Sequence, residues 1–278
     1  MTASLANNFS RKLTKLPNYQ RRFGVFRGGR LWMQIESGST YKSEKLKVYR
    51  VPGLGKVYLR DSASDRAIFW QCLVEEQYDT SAFPHHRRWL EQYQSQLKRG
   101  QRPVILDLGG NIGLAAIWFA KRFPEAQILV VEPDEGNLEV LTRNVAGKEQ
   151  IQVFHGAVWN APGWLRIVNP EAGFAAFRVA PAQGDRAKVR AYTVEELLAV
   201  AGCPSPWLVK IDIEGAQAAL FASNTAWVEK SGLIVIELDD WLFPWQGTSR
   251  PFFSCISRYP FEYLLKGENL FCFRDFEA

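Results

Sequence analysis

The chain has 278 residues, of which 47% are hydrophobic and 23% are charged, and its net charge is +5. This composition excludes long-range disorder, collagen and a coiled coil as descriptions of the whole chain. Its apolar runs are too short to cross a bilayer, and its first residues lack the apolar stretch of a secretory signal. The four cysteines form no C-x-x-C pair, which excludes a zinc ribbon or a disulfide scaffold and predicts a cytoplasmic location.

The charge is divided unevenly along the chain. Residues 1–60 carry 13 basic and two acidic side chains, whereas the remainder is mildly acidic. Residues 1–43 are polar, basic and contain glycine, so we predict a loosely structured N-terminal arm. An anionic partner or a membrane surface is expected at this arm, and the alternative is a solvated basic surface without a partner.

Residues 44–100 are predicted to form a small α+β extension. Two short strands, 45–51 and 56–60, flank a turn that contains proline and glycine. A helix begins near Ser64 and Asp65, and a second helix covers about residues 85–97.

The third region, residues 101–278, alternates apolar runs with helical segments. Runs that are apolar throughout are expected for strands covered by helices on both faces of a sheet. Five such runs are present, at 104–106, 127–131, 151–154, 207–211 and 233–236. They predict an α/β domain with a doubly wound, mostly parallel sheet.

Two last strands, 261–265 and 270–273, are joined by a tight turn and predict an antiparallel hairpin. A terminal hairpin on a parallel sheet resembles the Rossmann-like class I methyltransferase architecture.

The clearest motif follows the first strand of this domain and opens a helix: Asp107-Leu108-Gly109-Gly110-Asn111-Ile112-Gly113. Its glycines allow the backbone to approach a ligand closely. The dinucleotide fingerprint G-x-G-x-x-G is not satisfied, because Asn111 and Leu114 replace two glycines. An acid ahead of the glycines suits a ligand with an ammonium group and no pyrophosphate, which favours S-adenosylmethionine. We assign its binding to Asp107, Gly109, Asn111 and Gly113.

Glu132 closes the second strand about 20 residues after this loop. A carboxylate at that position can accept hydrogen bonds from both hydroxyls of a ribose, as in dinucleotide sites. We therefore predict that Glu132 binds the ribose of the cofactor.

These motifs resemble the FkbM family of S-adenosylmethionine-dependent methyltransferases. The resemblance also rests on Glu132-Pro133, on the stretch 208–216 with its K-I-D-x-E-G sequence, and on the upstream segment 60–65. It covers about residues 56–273 and implies a class I fold. It further implies transfer of a methyl group, usually to a hydroxyl of a small molecule or a glycan.

The same resemblance implies further cofactor contacts. Asp65 lies in the upstream segment, and Pro133 follows the ribose-binding acid. Ala157 and Val158 occupy the turn that corresponds to the adenine side of the cofactor in the family. These four residues are therefore predicted to bind S-adenosylmethionine.

Catalysis is assigned to acids at the tip of the fourth strand. Asp212 is predicted to take a proton from the acceptor hydroxyl, and Glu214 to accept from the substrate or the backbone. Lys210 is predicted to pair with a carboxylate at the strand ends, because side chains alternate along a strand. His155 is a further candidate base, with a hydrogen-bonded structural histidine as the alternative.

Several alternatives remain at this stage. Asp212, Glu214 and Glu237 could together offer oxygen ligands to a metal, but no further ligand spacing supports this, and no metal is predicted. A nicotinamide-dependent oxidoreductase and a non-catalytic nucleoside-binding module are the alternatives for the whole protein. The loop 241–245 could form an apolar wall for the acceptor. No specific nucleic acid is expected, because an Asn/Asp-Pro-Pro-aromatic sequence does not follow the fourth strand.

Overall fold

The computed structural model describes residues 12–38, 45–169, 178–182 and 189–276. It divides the chain into two compact units, residues 1–76 and 77–278. The boundaries expected from the sequence, after residues 43 and 100, stay a prediction. Within the predicted arm, residues 1–11 and 39–43 lie outside the described residues.

The N-terminal unit contains helices, a hairpin and a short π-helical turn. Its elements in chain order are α1 (Leu16–Phe23), α2 (Val25–Glu36), β1 (Leu46–Val51), β2 (Gly55–Arg60) and α3 (Ala63–Phe69), which continues as the π-helical turn Trp70–Val74. The hairpin confirms the two predicted strands. The prediction of a loosely structured arm was wrong for residues 16–36, which are helical.

Helices α1 and α2 cross closely at a glycine. A Cβ atom at Gly28 would collide with the backbone carbonyl of Tyr19, so only glycine permits this approach. Tyr19, Leu31 and Ile35 are buried at the contact between the helices and the rest of the unit. The glycine that suggested a loose arm is therefore a packing residue.

Ser62 begins helix α3 and organises the acid that follows it. Its hydroxyl accepts a hydrogen bond from the Asp65 amide at 3.0 Å and donates to Asp65 Oδ1 at 2.9 Å. The buried Asp65 carboxylate also pairs with the Arg60 guanidinium at 3.0 Å.

The C-terminal unit is built on a seven-stranded sheet with the order β12-β13-β11-β10-β3-β4-β5. These strands are β3 (Val104–Leu108), β4 (Gln127–Glu132), β5 (Ile151–His155), β10 (Leu208–Ile211), β11 (Leu233–Glu237), β12 (Phe261–Lys266) and β13 (Asn269–Arg274). Strands β3, β4, β5, β10 and β11 run parallel, and β13 pairs antiparallel with both β11 and β12. The doubly wound, mostly parallel sheet with its terminal hairpin is confirmed.

Helices cover both faces of this sheet. They are α4 (His86–Lys98), α5 (Leu114–Arg122), α6 (Glu135–Val145), α7 (Val194–Ala201), α8 (Gln217–Leu220), α9 (Ala226–Lys230) and α10 (Arg250–Ile256). Every residue of β3 is buried, as expected for a strand covered on two sides. Asp134 caps α6 by accepting a hydrogen bond from the Asn137 amide at 2.8 Å.

A second, four-stranded sheet with the order β6-β9-β7-β8 was not predicted from the sequence. Its strands are β6 (Ala157–Val158), β7 (Gly163–Ile167), β8 (Val179–Pro181) and β9 (Val189–Tyr192).

In the part of the chain that the structure describes, no helix combines the length and apolarity needed to span a membrane.

Candidate functional site

A cleft lies at the carboxyl ends of the parallel strands, where the chain leaves β3 and β10. These neighbouring strands pair in parallel, with Leu108 opposite Ile211, so their exit loops lie side by side. The cleft has about 560 Å³ of empty volume. Its lining residues are Gly109, Asn111, Val131, Glu132, Pro133, Asn137, Ala157, Val158, Val179, Asp212, Ile213, Glu214 and Ala216. This is the edge of a doubly wound sheet at which ligands bind.

Gly109 brings the two exit loops into contact. Its φ angle is +88°, and a Cβ atom there would overlap the carbonyl oxygen of Asp212. The Asp212 amide donates to the Leu108 carbonyl at 3.0 Å. The sequence therefore requires glycine at this position to seat the loop after β3 against the loop after β10.

Asn111 fixes the turn that follows. It adopts a left-handed conformation, with φ of +48°, and its Oδ1 accepts the Ile112 amide at 2.8 Å. Asparagine tolerates this region better than most residues because its short side chain can bond the local backbone. The result is that the Asn111 amide points to Glu132.

Glu132 receives hydrogen bonds from three donors. Its Oε2 accepts the Asn111 amide at 2.7 Å, and its Oε1 accepts the Asp134 amide at 3.0 Å and Asn137 Nδ2 at 3.2 Å. A carboxylate offers about four acceptor positions, so about one remains, at Oε2. Burial raises the pKa of Glu132 to about 7, and these hydrogen bonds oppose the increase.

Beneath the glycine loop, Lys210 connects both strands to the turn. Its Nζ lies 3.1 Å from Asp107 Oδ1 and 3.4 Å from Asp212 Oδ2, and it donates to the Gly109 carbonyl at 2.6 Å. Asp107 is completely buried, and burial raises its pKa although Lys210 acts in the opposite direction. The expected pairing of Lys210 with strand-end carboxylates is confirmed.

On the opposite side of the cleft, carboxylates repel one another. Burial raises the pKa of Glu214 to about 7, and the charges of Asp212 and Asp239 add to the increase. Burial likewise raises the pKa of Glu237 to about 8, with Asp212 as the next contributor. A carboxylate with such a pKa can exchange protons near neutral pH.

The loop after β11 is anchored to the same segment. Asp239 Oδ2 accepts the Gly215 amide at 3.0 Å, and the Phe243 ring packs against Gly215. The Arg178 guanidinium lies 5.4 Å from the centre of the Phe243 ring. Trp241 and Trp245 of this loop are exposed, by 67% and 102%.

The structure brings most of the predicted site residues together. Eight line the cleft: Gly109, Asn111, Glu132, Pro133, Ala157, Val158, Asp212 and Glu214. Gly113 lies behind the loop with φ of +81°, where it begins α5 and packs against Leu141. Asp107 is buried under the loop, and its predicted contact with a cofactor stays a prediction.

Two predicted residues, His155 and Asp65, are not among the described residues that line the cleft. His155 is exposed, and its Nε2 lies 3.3 Å from the Pro133 carbonyl oxygen, outside the cleft lining. Asp65 belongs to the N-terminal unit, where Arg60 and Ser62 engage its carboxylate. These surroundings favour structural roles, and the predicted roles in catalysis and cofactor binding stay predictions.

Other residues of the site were not predicted from the sequence. Asn137 lines the cleft and supports Glu132, and an amide three residues after a helix cap is its only sequence signal. Val179 comes from the short strand β8, and no pattern in the sequence pointed to it. Among the described residues, no group of three or more histidines, cysteines or acids is placed to hold a metal ion.

The sheet order and the position of the cleft define a Rossmann-like class I methyltransferase fold. The model of one family, described as the methyltransferase FkbM domain, matches residues 107–250, which is just over half of the chain. The chain therefore belongs to this FkbM methyltransferase family.

Individual similarities are more distant. Methyltransferase sdnD from Sordaria araneosa is 43% identical over 44 residues, which span 16% of this chain and 17% of that protein. A putative O-methyltransferase from Klebsiella pneumoniae is 16% identical, with a TM-score of 0.39 over 72% of this chain and 87% of that chain. A methyltransferase from Geobacter sulfurreducens is 15% identical, with a TM-score of 0.37 over 75% and 88% of the two chains.

Proposed function

We propose that the protein transfers the methyl group of S-adenosylmethionine to a hydroxyl of a small molecule or a glycan. The charge of the cleft is the main observation that supports S-adenosylmethionine as the cofactor. Its lining includes the carboxylates Glu132, Asp212 and Glu214, and no lysine or arginine is present among the described lining residues. These acids disfavour a pyrophosphate and favour a ligand with a sulfonium and an ammonium group. Lys210 offsets part of the charge at Asp212, and the raised pKa values of Glu132 and Glu214 reduce their charge near pH 7.

The remaining lining residues fit the neutral parts of the same ligand. The acceptor position left at Glu132 Oε2 can take one ribose hydroxyl, rather than both as the sequence suggested. Ala157 and Val158 are buried apolar residues that offer a wall for a flat base.

The choice of a hydroxyl acceptor rests on the acids across the cleft. S-adenosylmethionine supplies an electrophilic methyl group on sulfur when it is bound. The acceptor oxygen must lose a proton, and Glu214 holds a carboxylate with a pKa of about 7 in the same cleft. Asp212 lies beside it, at 3.4 Å from Lys210, and is the second group that can orient a hydroxyl or take its proton.

The cofactor is tested by titration calorimetry with S-adenosylhomocysteine, with NAD in a parallel titration. We expect binding of the first ligand and none of the second. Glu132→Ala removes the ribose acceptor and should weaken binding about 5- to 150-fold. Glu149→Gln, which changes an exposed acid outside the cleft, is the control and should bind normally. Binding of NAD alone would contradict the proposal.

The acceptor is tested with S-adenosylmethionine that carries a carbon-13 methyl group. The full chain is incubated with separate fractions of neutral metabolites and glycans, and the products are examined by carbon NMR. The chemical shift of the transferred methyl distinguishes attachment to oxygen, nitrogen and carbon. Methyl ethers are the expected products, and only N-methyl or C-methyl signals would contradict hydroxyl transfer.

A further inference from the structure

A basic groove lies on the N-terminal unit, between helix α2 and the hairpin β1–β2. Its empty volume is about 1350 Å³. The lining residues are Arg27, Arg30, Leu31, Gln34, Val48, Arg50, Val51, Pro52, Gly53, Gly55 and Lys56. Four of them are cations, and none of these described lining residues is an acid. The groove therefore concentrates positive charge on one face of the unit.

The carboxylates that form salt bridges in this unit pair with cations outside the groove. Glu36 pairs with Lys15 at 3.2 Å, and Asp61 pairs with both Lys47 and Arg66, at 2.8 and 3.1 Å. No salt bridge within the described residues reaches Arg27, Arg30, Arg50 or Lys56. Four like charges left together repel one another, and an external anion relieves that repulsion.

Large apolar side chains are exposed along the same helix. Phe26 and Met33 are 92% and 63% exposed, and Arg30 lies between them at the spacing i, i+4, i+7. These three residues share one face of α2, because residues three and four apart are neighbours on a helix. Val48, on the wall of the groove formed by β1, is also 55% exposed.

We infer that this surface binds the headgroup region of an anionic lipid bilayer. Arginine and lysine beside exposed aromatic and aliphatic side chains on a helix are the features of a protein element that lies in the membrane interface. The four cations would contact lipid phosphates, and Phe26 and Met33 would enter the boundary between headgroups and acyl chains. A soluble polyanion would use the cations alone and leave those two apolar side chains exposed to water.

The test is co-sedimentation of the full chain with vesicles. One set contains phosphatidylcholine alone, and the other contains phosphatidylcholine with about one third phosphatidylserine. Binding is expected only to the second set, and it should weaken as salt is raised. Equal binding to both sets, or to neither, would overturn the inference.

Two pairs of variants distinguish the effect of the groove cations from the effect of the net charge of the protein. Arg30→Gln with Arg50→Gln removes two groove cations and should weaken binding to the anionic vesicles about 30-fold. Lys121→Gln with Lys230→Gln removes two exposed cations outside the groove and should leave binding within about 2-fold. Equal losses in the two pairs would show that only the net charge acts, and would overturn the inference.

A third variant separates a bilayer from a soluble polyanion. Phe26→Ser with Met33→Ser keeps every charge, and it should weaken vesicle binding at least 10-fold while binding of inositol hexakisphosphate is unchanged. Undiminished vesicle binding in this variant, with displacement by inositol hexakisphosphate, would instead indicate a soluble polyanion. Binding of S-adenosylhomocysteine and the circular dichroism spectrum check that each variant is folded.

Discussion

Lys210 is predicted to contribute strongly to the stability of the sheet. Its side chain is 97% buried, and its ammonium lies 3.1 Å from a carboxylate oxygen of Asp107, which is completely buried. Lys210→Met keeps most of the side-chain volume and removes the charge. Asp107 then lacks its cation, and the Gly109 carbonyl lacks its donor at 2.6 Å.

The expected cost follows from the burial of this pair. Removing one partner of a buried ion pair destabilises a protein by about 3–5 kcal/mol, because the remaining charge stays buried without compensation. For a unit of about 200 residues, each kcal/mol corresponds to about 2–4 °C in melting temperature. We therefore expect a decrease in Tm of about 6–20 °C.

Differential scanning calorimetry measures this decrease. Lys121→Met is the matched control, because Lys121 is an exposed lysine on α5, and its Tm should change by less than about 2 °C. The double variant Asp107→Asn, Lys210→Met removes both charges and should recover part of the lost stability. A decrease below about 2 °C for Lys210→Met, or no recovery in the double variant, would refute the reasoning.

Three further predictions concern the cleft and Glu237, the acid that ends β11. Gly109→Ala places a Cβ on the Asp212 carbonyl, so calorimetry should show at least a 10-fold loss in affinity for S-adenosylhomocysteine; unchanged affinity would contradict the tight loop contact. If Glu214 is the base, the methyl-transfer rate of the native enzyme should rise with pH through about 7, and Glu214→Gln should abolish that rise in a pH-rate profile. The pKa of Glu237 is raised to about 8 in the folded state, so its stabilising contribution is full below about pH 4.5 and is lost as pH rises through 8. The Tm should fall over that range, and it should fall less in Glu237→Gln; an equal fall would exclude this contribution.

The sheet could be predicted from the sequence because its strands are apolar on both faces. The run 104–106 has the pattern of a strand buried by helices, and every residue of β3 is buried in the structure. The terminal hairpin was likewise signalled by its tight turn. The short strands of the second sheet were not foreseen, because two to five residues carry too little periodicity to distinguish a strand from a loop.

The N-terminal helices were missed for a different reason. Gly24, Gly28 and Gly29 lower helix propensity, and that local signal favoured a loose arm. Gly28 instead permits the close crossing with Tyr19, a tertiary contact that outweighs propensity and that a single sequence does not reveal.

Within the cleft, the sequence located Glu132 but not the hydrogen bonds that its carboxylate accepts. The Asn111 amide reaches this acid because the glycine loop lies over the end of β4, where the Gly109 and Gly110 amides donate to the Val131 carbonyl. The Asp134 amide reaches it through the local turn that follows β4. Position along the chain could therefore indicate a carboxylate at the site, but not how many of its acceptor positions are already occupied.

In the loop that follows β11, the residues that anchor the loop differ from those that are exposed to solvent. Asp239 and Phe243 hold it against Gly215, whereas Trp241 and Trp245 project into solvent. Neither tryptophan supplies these contacts with Gly215. A library that varies only Trp241 and Trp245 would therefore test whether this loop selects the acceptor, as the sequence suggested, while Asp239 and Phe243 keep their contacts with Gly215.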